Sequence, residues 1–135
     1  MEALGRHILV EFYDCDQATL QSVEVVKNLM AAAADAAGAT IVSDCFHQFN
    51  PHGVSGVIVI AESHLAIHTW PEHGYASIDL FTCGTSVNPW DAFNYLKDKM
   101  KPSHTRFAEL KRGEIAPDGD VDFTEPLRIN RQLIA

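Results

Sequence analysis

The stretch from Val54 to Gly84, VSGVIVIAESHLAIHTWPEHGYASIDLFTCG, decides the predicted fold. Its first part, Val54 to Ala61, is almost wholly apolar and β-branched, which predicts a strand buried on both faces or close to it. Two more strand patterns, Leu65 to Trp70 and Tyr75 to Cys83, flank a Pro-Glu-His-Gly loop and predict a hairpin. Alternation within the last strand places two sets of side chains on opposite faces: Ala76, Ile78, Leu80 and Thr82 on one, and Tyr75, Ser77, Asp79, Phe81 and Cys83 on the other.

Upstream of this stretch, the sequence predicts two strands with a helix between them. The strands are expected at His7 to Tyr13 and Thr40 to Phe49, where apolar and β-branched residues are frequent. The helix is expected from Gln17 to Ala37, with Asp16 as its N-cap and Gly38 just after its end. One face of this helix is apolar and the opposite face is polar, as in a helix packed on a sheet.

Downstream of the hairpin, Asn88-Pro89 predicts the start of a second helix, with asparagine as cap and proline in the first turn. A last strand is expected from His104 to Leu110. The order β-α-β-β-β-β-α-β lacks the regular alternation of a parallel sheet. We therefore expect an α+β fold, a two-layer sandwich with a mainly antiparallel sheet and helices on one face.

Composition limits the function classes. A chain of 135 residues with 47% hydrophobic and 21% charged residues predicts one globular domain, expected over 1–112 with an acidic, proline-containing tail at 113–135. Its net charge of −8 argues against nucleic acid as a partner. No apolar stretch approaches the ~20 residues that span a bilayer, and the N-terminus lacks a signal-peptide pattern, so no membrane partner is expected. Three cysteines without CxxC spacing are typical of free thiols in the cytoplasm.

Histidines are concentrated around the hairpin, which raises the possibility of a metal site. His64 and His68 have the i, i+4 spacing that joins two ligands on a helix. On a strand, however, four residues span roughly 13 Å, too far for one ion. Neither a cysteine nor an acid stands beside them at zinc-like spacing. We therefore expect no metal.

Nucleophilic catalysis is the second chemistry that these residue types allow. Ser63, His68 and Asp79 contain the groups of a hydrolytic triad, although no GxSxG elbow surrounds the serine. Cys83 and His68 contain the groups of a thiolate pair. Spacing alone leaves both arrangements open, together with a purely structural role for Cys83 as a small buried side chain.

A resemblance to a known family indicates a more specific function than the residue spacing does. The stretch from Val54 to Gly84 closely resembles the short prokaryotic S-adenosylmethionine decarboxylases, above all in the motif E-S-H-x-x-I-H-T-W-P-E. LGRHILVEFYDCD near the N-terminus and GATIVSDCFHQF also resemble that family. The similarity extends from about Leu4 to Met100, and the tail after Gly113 is unmatched. This motif is far more specific than a glycine-rich loop or a lone triad.

The resemblance implies a proenzyme that cuts its own chain between Glu62 and Ser63, giving a β chain of 1–62 and an α chain of 63–135. The Ser63 hydroxyl attacks the preceding carbonyl, an ester replaces the amide, and elimination and hydrolysis leave a covalent pyruvoyl cofactor derived from Ser63. This cofactor forms a Schiff base with the amine of S-adenosylmethionine and accepts the electrons released on decarboxylation. The product is the aminopropyl donor for spermidine biosynthesis. Backbone strain at Ser63 would favour the attack.

The same resemblance implies roles for five further residues. Cys83 is the proton donor to the substrate carbon, and His68 and Ser55 serve processing. Phe49 is expected to stack on adenine and Glu72 to bind the ribose hydroxyls, the alternatives being a core phenylalanine and a solvated charge. Family members pair as dimers of processed protomers with active sites at the interface, and we expect a symmetric dimer here.

Two other functions fit the same residues. An ornithine or arginine decarboxylase would use the same fold and cofactor with a different side-chain pocket. A homologue that fails to cleave would act as a regulatory subunit. The state of the Glu62–Ser63 bond separates the second alternative, and a product assay separates the first.

Overall fold

A computed structural model of the protein describes residues 2–116 and 123–129. These residues form a sheet of six strands, three α-helices and a short 3-10 turn at Pro71–His73. The strands are β1 (Glu2–Tyr13), β2 (Ile41–Gln48), β3 (Val54–Ile60), β4 (Ser63–Trp70), β5 (Tyr75–Cys83) and β6 (His104–Ile115). The helices are α1 (Gln17–Gln21), α2 (Val23–Ala36) and α3 (Pro89–Met100).

The six strands form one sheet in the order β2-β3-β4-β5-β1-β6, and every neighbouring pair is antiparallel. The predicted hairpin is confirmed as β4 and β5, whose register pairs Trp70 with Tyr75 and Ser63 with Thr82. All three helices pack on one face of the sheet, and no helix in the described part of the chain packs on the other. This confirms the predicted α+β sandwich, and the uncovered surface is called the open face below.

The hydrophobic core lies between the sheet and the helices. Alternate residues of the four central strands point into it, and they are almost fully buried: Ile8, Val10, Phe12, Val54, Ile58, Ile60, Leu65, Ile67, Ala76, Ile78 and Leu80. The prediction that β3 is buried on both faces is wrong for this chain, because its burial alternates and Val59 is 40% exposed on the open face. No helix covers that side of the strand, so its outward apolar residues remain accessible.

The predicted single helix from Gln17 to Ala37 is instead two helices, broken at Ser22. Ser22 has extended backbone angles, and its Oγ accepts a hydrogen bond from the Val25 N–H at 3.2 Å. A serine that caps the following helix in this way favours a break over a continuous helix. The predicted ends are confirmed, since Asp16 caps α1 and Gly38 has a positive φ of 78° after α2.

β1 and the edge strand β6 are longer than the sequence predicts. β1 begins at Glu2 and β6 continues to Ile115 because these two strands pair along their whole length. Part of the tail lies along β6, where the Lys111 N–H donates to the Arg128 carbonyl oxygen at 3.1 Å. The acidic segment 118–122 lies outside the described residues, as do residues 130–135.

Candidate active site

The junction between β3 and β4 holds the predicted cleavage site. Ser63, the first residue of β4, has a φ of 137°, a region that L-residues rarely adopt. Such a conformation costs on the order of 1–3 kcal/mol and persists only where the surroundings impose it. Here the β-ladder imposes it, because Ser63 is paired with Ile60 on one side and Thr82 on the other.

Glu62 is held by its main chain and its side chain. The Cys83 N–H donates to the Glu62 carbonyl oxygen at 2.8 Å, and the Thr40 N–H donates to Glu62 Oε1 at 3.1 Å. The first contact polarises the carbonyl that precedes Ser63, as a donor of an oxyanion hole does. Sequence reasoning missed both donors, because any residue except proline supplies a backbone N–H and the sequence carries no signal for it.

Cys83 ends β5 with an exposed side chain. It lines a cavity of about 240 Å³ together with Phe81 and Arg112. The Arg112 guanidinium lies over the Phe81 ring, 5.1 Å from its centroid, and Arg112 Nη1 lies 2.9 Å from His7 Nδ1. Cys83 is therefore an accessible thiol in a partly cationic setting and is not a buried packing residue.

A second group of predicted residues lies at the other end of β4. Ser55 and His68 face each other across β3 and β4, with 2.7 Å between Ser55 Oγ and His68 Nδ1. They line a cavity of about 420 Å³ with Phe49 and Glu72. Phe49 is 46% exposed, so it is not a core residue, and the His47 ring meets it edge-on at 4.6 Å. An exposed aromatic ring beside a carboxylate suits the base and ribose of a nucleoside.

The two groups do not meet within one chain. Ser63 and His68 are five residues apart on an extended strand, roughly 16 Å at ~3.3 Å per residue. His68 is paired with Ser77, which lies six residues before Cys83, roughly 20 Å along β5. Neither a Ser63-His68-Asp79 triad nor a Cys83-His68 pair therefore forms inside one protomer.

The open face is rich in aromatic rings. Tyr75 stacks on Tyr13 with centroids 5.5 Å apart, and Trp70 lies 5.2 Å from Tyr75. Burial and a hydrogen bond to the Glu11 carboxylate raise the pKa of Tyr75 to about 12. Nearer the cleavage end, burial lowers the pKa of His7, and Asp79 opposes that shift. The Tyr75 hydroxyl and the His7 ring are therefore neutral near pH 7.

Among residues 2–116 and 123–129, no group of three or more histidine, cysteine, aspartate or glutamate side chains is arranged to hold a metal ion. His64 lies on β4 as predicted and packs edge-on against Phe81. Its ring therefore contributes to aromatic packing on the open face. Within the same described residues, no helix has the length and apolar character needed to cross a membrane.

Comparison with known proteins agrees with this geometry. The family model for S-adenosylmethionine decarboxylase matches residues 6–113. The chain is similar to the S-adenosylmethionine decarboxylase proenzymes of Thermosipho africanus (56% identity, 84% of this chain, 88% of that protein) and Acetivibrio thermocellus (52% identity, 96% and 98%). Its fold is similar to the crystal structure of the Aquifex aeolicus adenosylmethionine decarboxylase, with a TM-score of 0.83, 35% identity and coverage of 90% of this chain and 100% of that one. The chain belongs to the S-adenosylmethionine decarboxylase family.

Proposed function

We propose that this protein is a pyruvoyl-dependent S-adenosylmethionine decarboxylase that cuts its own chain between Glu62 and Ser63. The observation that carries the proposal is the strained Ser63 directly after a carbonyl that is fixed by the Cys83 N–H. Its relatives are named as proenzymes, which fits a chain that must be processed. Those names do not favour the alternatives, an ornithine or arginine decarboxylase and a non-cleaving regulatory homologue.

The geometry at the junction favours self-cleavage. The Ser63 hydroxyl attacks the Glu62 carbonyl carbon, the C–N bond breaks, and the proton passes to the Ser63 nitrogen. The Cys83 N–H stabilises the negative charge that develops on the carbonyl oxygen. Release of the strained φ at Ser63 offsets part of the barrier. Elimination and hydrolysis then convert Ser63 into the pyruvoyl group.

The pyruvoyl group supplies an electron sink for the decarboxylation. The surrounding residues bind the substrate and return a proton to it. Cys83 has an accessible thiol and returns a proton to the substrate carbon after carbon dioxide leaves. Phe49 and Glu72 line one cavity, so the ring stacks on adenine while the carboxylate accepts hydrogen bonds from the ribose hydroxyls. With its cysteines free, the enzyme is expected to work in the reducing cytoplasm.

A complete site requires two copies of the chain, which form a symmetric dimer. Ser63 and Cys83 lie at one end of the β4–β5 hairpin, while His68 and Ser55 lie toward the other. Two open faces packed about a two-fold axis that crosses the strands reverse the direction of β4 in the partner. The Ser63 end of one protomer then covers the His68 end of its partner. The midpoint of these two residues falls beside Ala66, a small side chain that permits close approach.

The intact mass of the purified protein under denaturing conditions tests the proposal. The expected result is two chains, 1–62 and 63–135, the second lighter by one ammonia than a chain that begins with serine. The Ser63→Ala variant is the matched control and should remain a single inactive chain. A wild-type chain that stays uncut, or a cut chain with an unmodified serine terminus, would contradict the proposal.

Co-expression of two inactive variants tests the shared site. In a mixed dimer of Ser63→Ala and His68→Ala chains, one site combines the intact Ser63 of one chain with the intact His68 of the other. The His68→Ala chain should therefore be cut when its partner is Ser63→Ala, and should stay uncut when expressed alone. Cleavage that is absent in both cases would place Ser63 and His68 in the same protomer.

Substrate choice has its own test. Purified, processed protein is supplied with S-adenosylmethionine, ornithine or arginine, and carbon dioxide release is measured. Only the first should react. Phe49→Leu should raise KM for S-adenosylmethionine more than it lowers kcat, because stacking on adenine is distant from the reacting carbon. Release of carbon dioxide from ornithine or arginine at a comparable rate would support the alternative.

A further inference from the structure

The side chain of Thr82 is buried and lacks a hydrogen-bond partner. Thr82 is 1% exposed, and no group in the described residues bonds to its Oγ1. A buried hydroxyl without a partner is destabilising, and native proteins rarely keep one without a reason. The only other threonine on the same sheet face of β4 or β5, Thr69, uses its hydroxyl fully, bonding to the Leu20 oxygen and the Val54 N–H.

The neighbours of Thr82 indicate why its buried hydroxyl is kept without a partner. In the sheet, Thr82 is paired with Ser63 on β4 and with Arg6 on β1. Arg6 is already engaged, because its Nη2 and Nε lie 2.7 Å and 2.9 Å from Glu109 Oε1. Directly opposite residues in a ladder have Cβ atoms roughly 5 Å apart, which is within hydroxyl-to-hydroxyl reach after a small backbone adjustment.

We propose that Thr82 is a positioning residue for the first step of self-cleavage, an inference that rests on the proposed function. As Ser63 moves toward attack, its hydroxyl donates a hydrogen bond to Thr82 Oγ1, which holds the serine oxygen toward the Glu62 carbonyl carbon. The new bond joins Ser63 Oγ to that carbon, the amide C–N bond breaks, and the serine proton passes to the Ser63 nitrogen. Thr82 keeps its own proton throughout.

The adjacent residue completes the arrangement. Thr82 and Cys83 follow each other on β5: Thr82 is the ladder partner of Ser63, and the Cys83 N–H donates to the Glu62 carbonyl oxygen, where negative charge develops during the attack. A shift of about 1 Å in such a pair costs on the order of 100-fold in rate. One dipeptide of β5 would thus hold both the nucleophile and the developing oxyanion.

The test follows cleavage of newly translated chains over time by denaturing electrophoresis and intact mass. Thr82→Val keeps the shape and removes the hydroxyl, and it should slow cleavage about 10- to 100-fold. Thr82→Ser restores the hydroxyl and should cleave within about threefold of the wild-type rate. Uncut Thr82→Val chains should give no new fragment with hydroxylamine, which cleaves esters, because the block lies before ester formation.

A stability measurement separates positioning from packing. In a Ser63→Ala background, where every chain stays uncut, adding Thr82→Val should leave the melting temperature unchanged or raise it, since no hydrogen bond is lost. Wild-type cleavage rate in Thr82→Val, no rescue by Thr82→Ser, a hydroxylamine-sensitive ester, or a lower melting temperature would each overturn the inference and leave the proposed function standing. An uncut wild-type chain would overturn both.

Discussion

Replacing Thr69 by valine is expected to destabilise the fold strongly although the two side chains have nearly the same shape. Thr69 Oγ1 accepts a hydrogen bond from the Val54 N–H at 2.9 Å and donates one to the Leu20 carbonyl oxygen at 2.8 Å. Thr69 is 6% exposed, and its two partners belong to buried residues of β3 and α1. Valine leaves both backbone groups without a partner.

The magnitude follows from those two lost partners. A buried donor or acceptor left unpaired costs about 1–3 kcal/mol, so the pair is expected to lower the free energy of unfolding by about 2–6 kcal/mol. With a urea slope of ~2 kcal/mol per M, the unfolding midpoint should fall by roughly 1–3 M.

The assay is urea unfolding at one protein concentration, with Ser63→Ala as the parent so that every chain is uncut. The matched control is Thr82→Val, the same change at a buried threonine whose hydroxyl has no partner. It should stay within about 0.5 kcal/mol of the parent or exceed it. A Thr69→Val variant as stable as the parent, or an equal loss in both variants, would refute the hydrogen-bond reasoning.

Three further changes have defined outcomes. Burial raises the pKa of Cys15 to about 11, so at pH 8 its thiolate is about 100-fold scarcer than that of an unburied cysteine. Iodoacetamide should therefore label the exposed Cys45 much faster than Cys15, as followed by mass spectrometry; equal labelling would contradict the burial. Gly56→Ala should lower the melting temperature, because the added Cβ would lie 1.9 Å from Phe46 Cδ2. An unchanged melting temperature would show that the Phe46 ring moves freely. Cys83→Ala should still be cut while decarboxylation falls at least about 100-fold, measured as carbon dioxide release; normal turnover would remove Cys83 from protonation.

Sequence reasoning predicted the hairpin and the sheet well because alternation is strong in β5, where every second residue from Ala76 to Thr82 is buried. It failed at Ser22, where the apolar periodicity runs through a residue whose side chain prefers to cap the next helix. It also failed on β3, because an apolar strand has the same composition whether its second face is covered by its own chain or by another.

The arrangement of the candidate site could not be predicted from the sequence. The motif predicts Ser63, His68 and Cys83 as reactive groups, and the register of β4 and β5 shows how far apart they lie. No sequence pattern predicts the backbone N–H that donates to the Glu62 carbonyl oxygen. The same is true of the Thr82 hydroxyl without a partner. Both depend on which strands become neighbours, and that is a property of the whole sheet.

The five-residue separation of Ser63 and His68 on β4 also bears on when the enzyme becomes active. With the site shared as proposed, a newly synthesised chain would carry the two halves of a site at opposite ends of β4, and neither half would be complete. Maturation of the dilute proenzyme would then follow second-order kinetics, and its half-time would shorten as protein accumulates. The cell would obtain activity in proportion to assembled dimers, and a folded single chain would stay inactive until it met another copy.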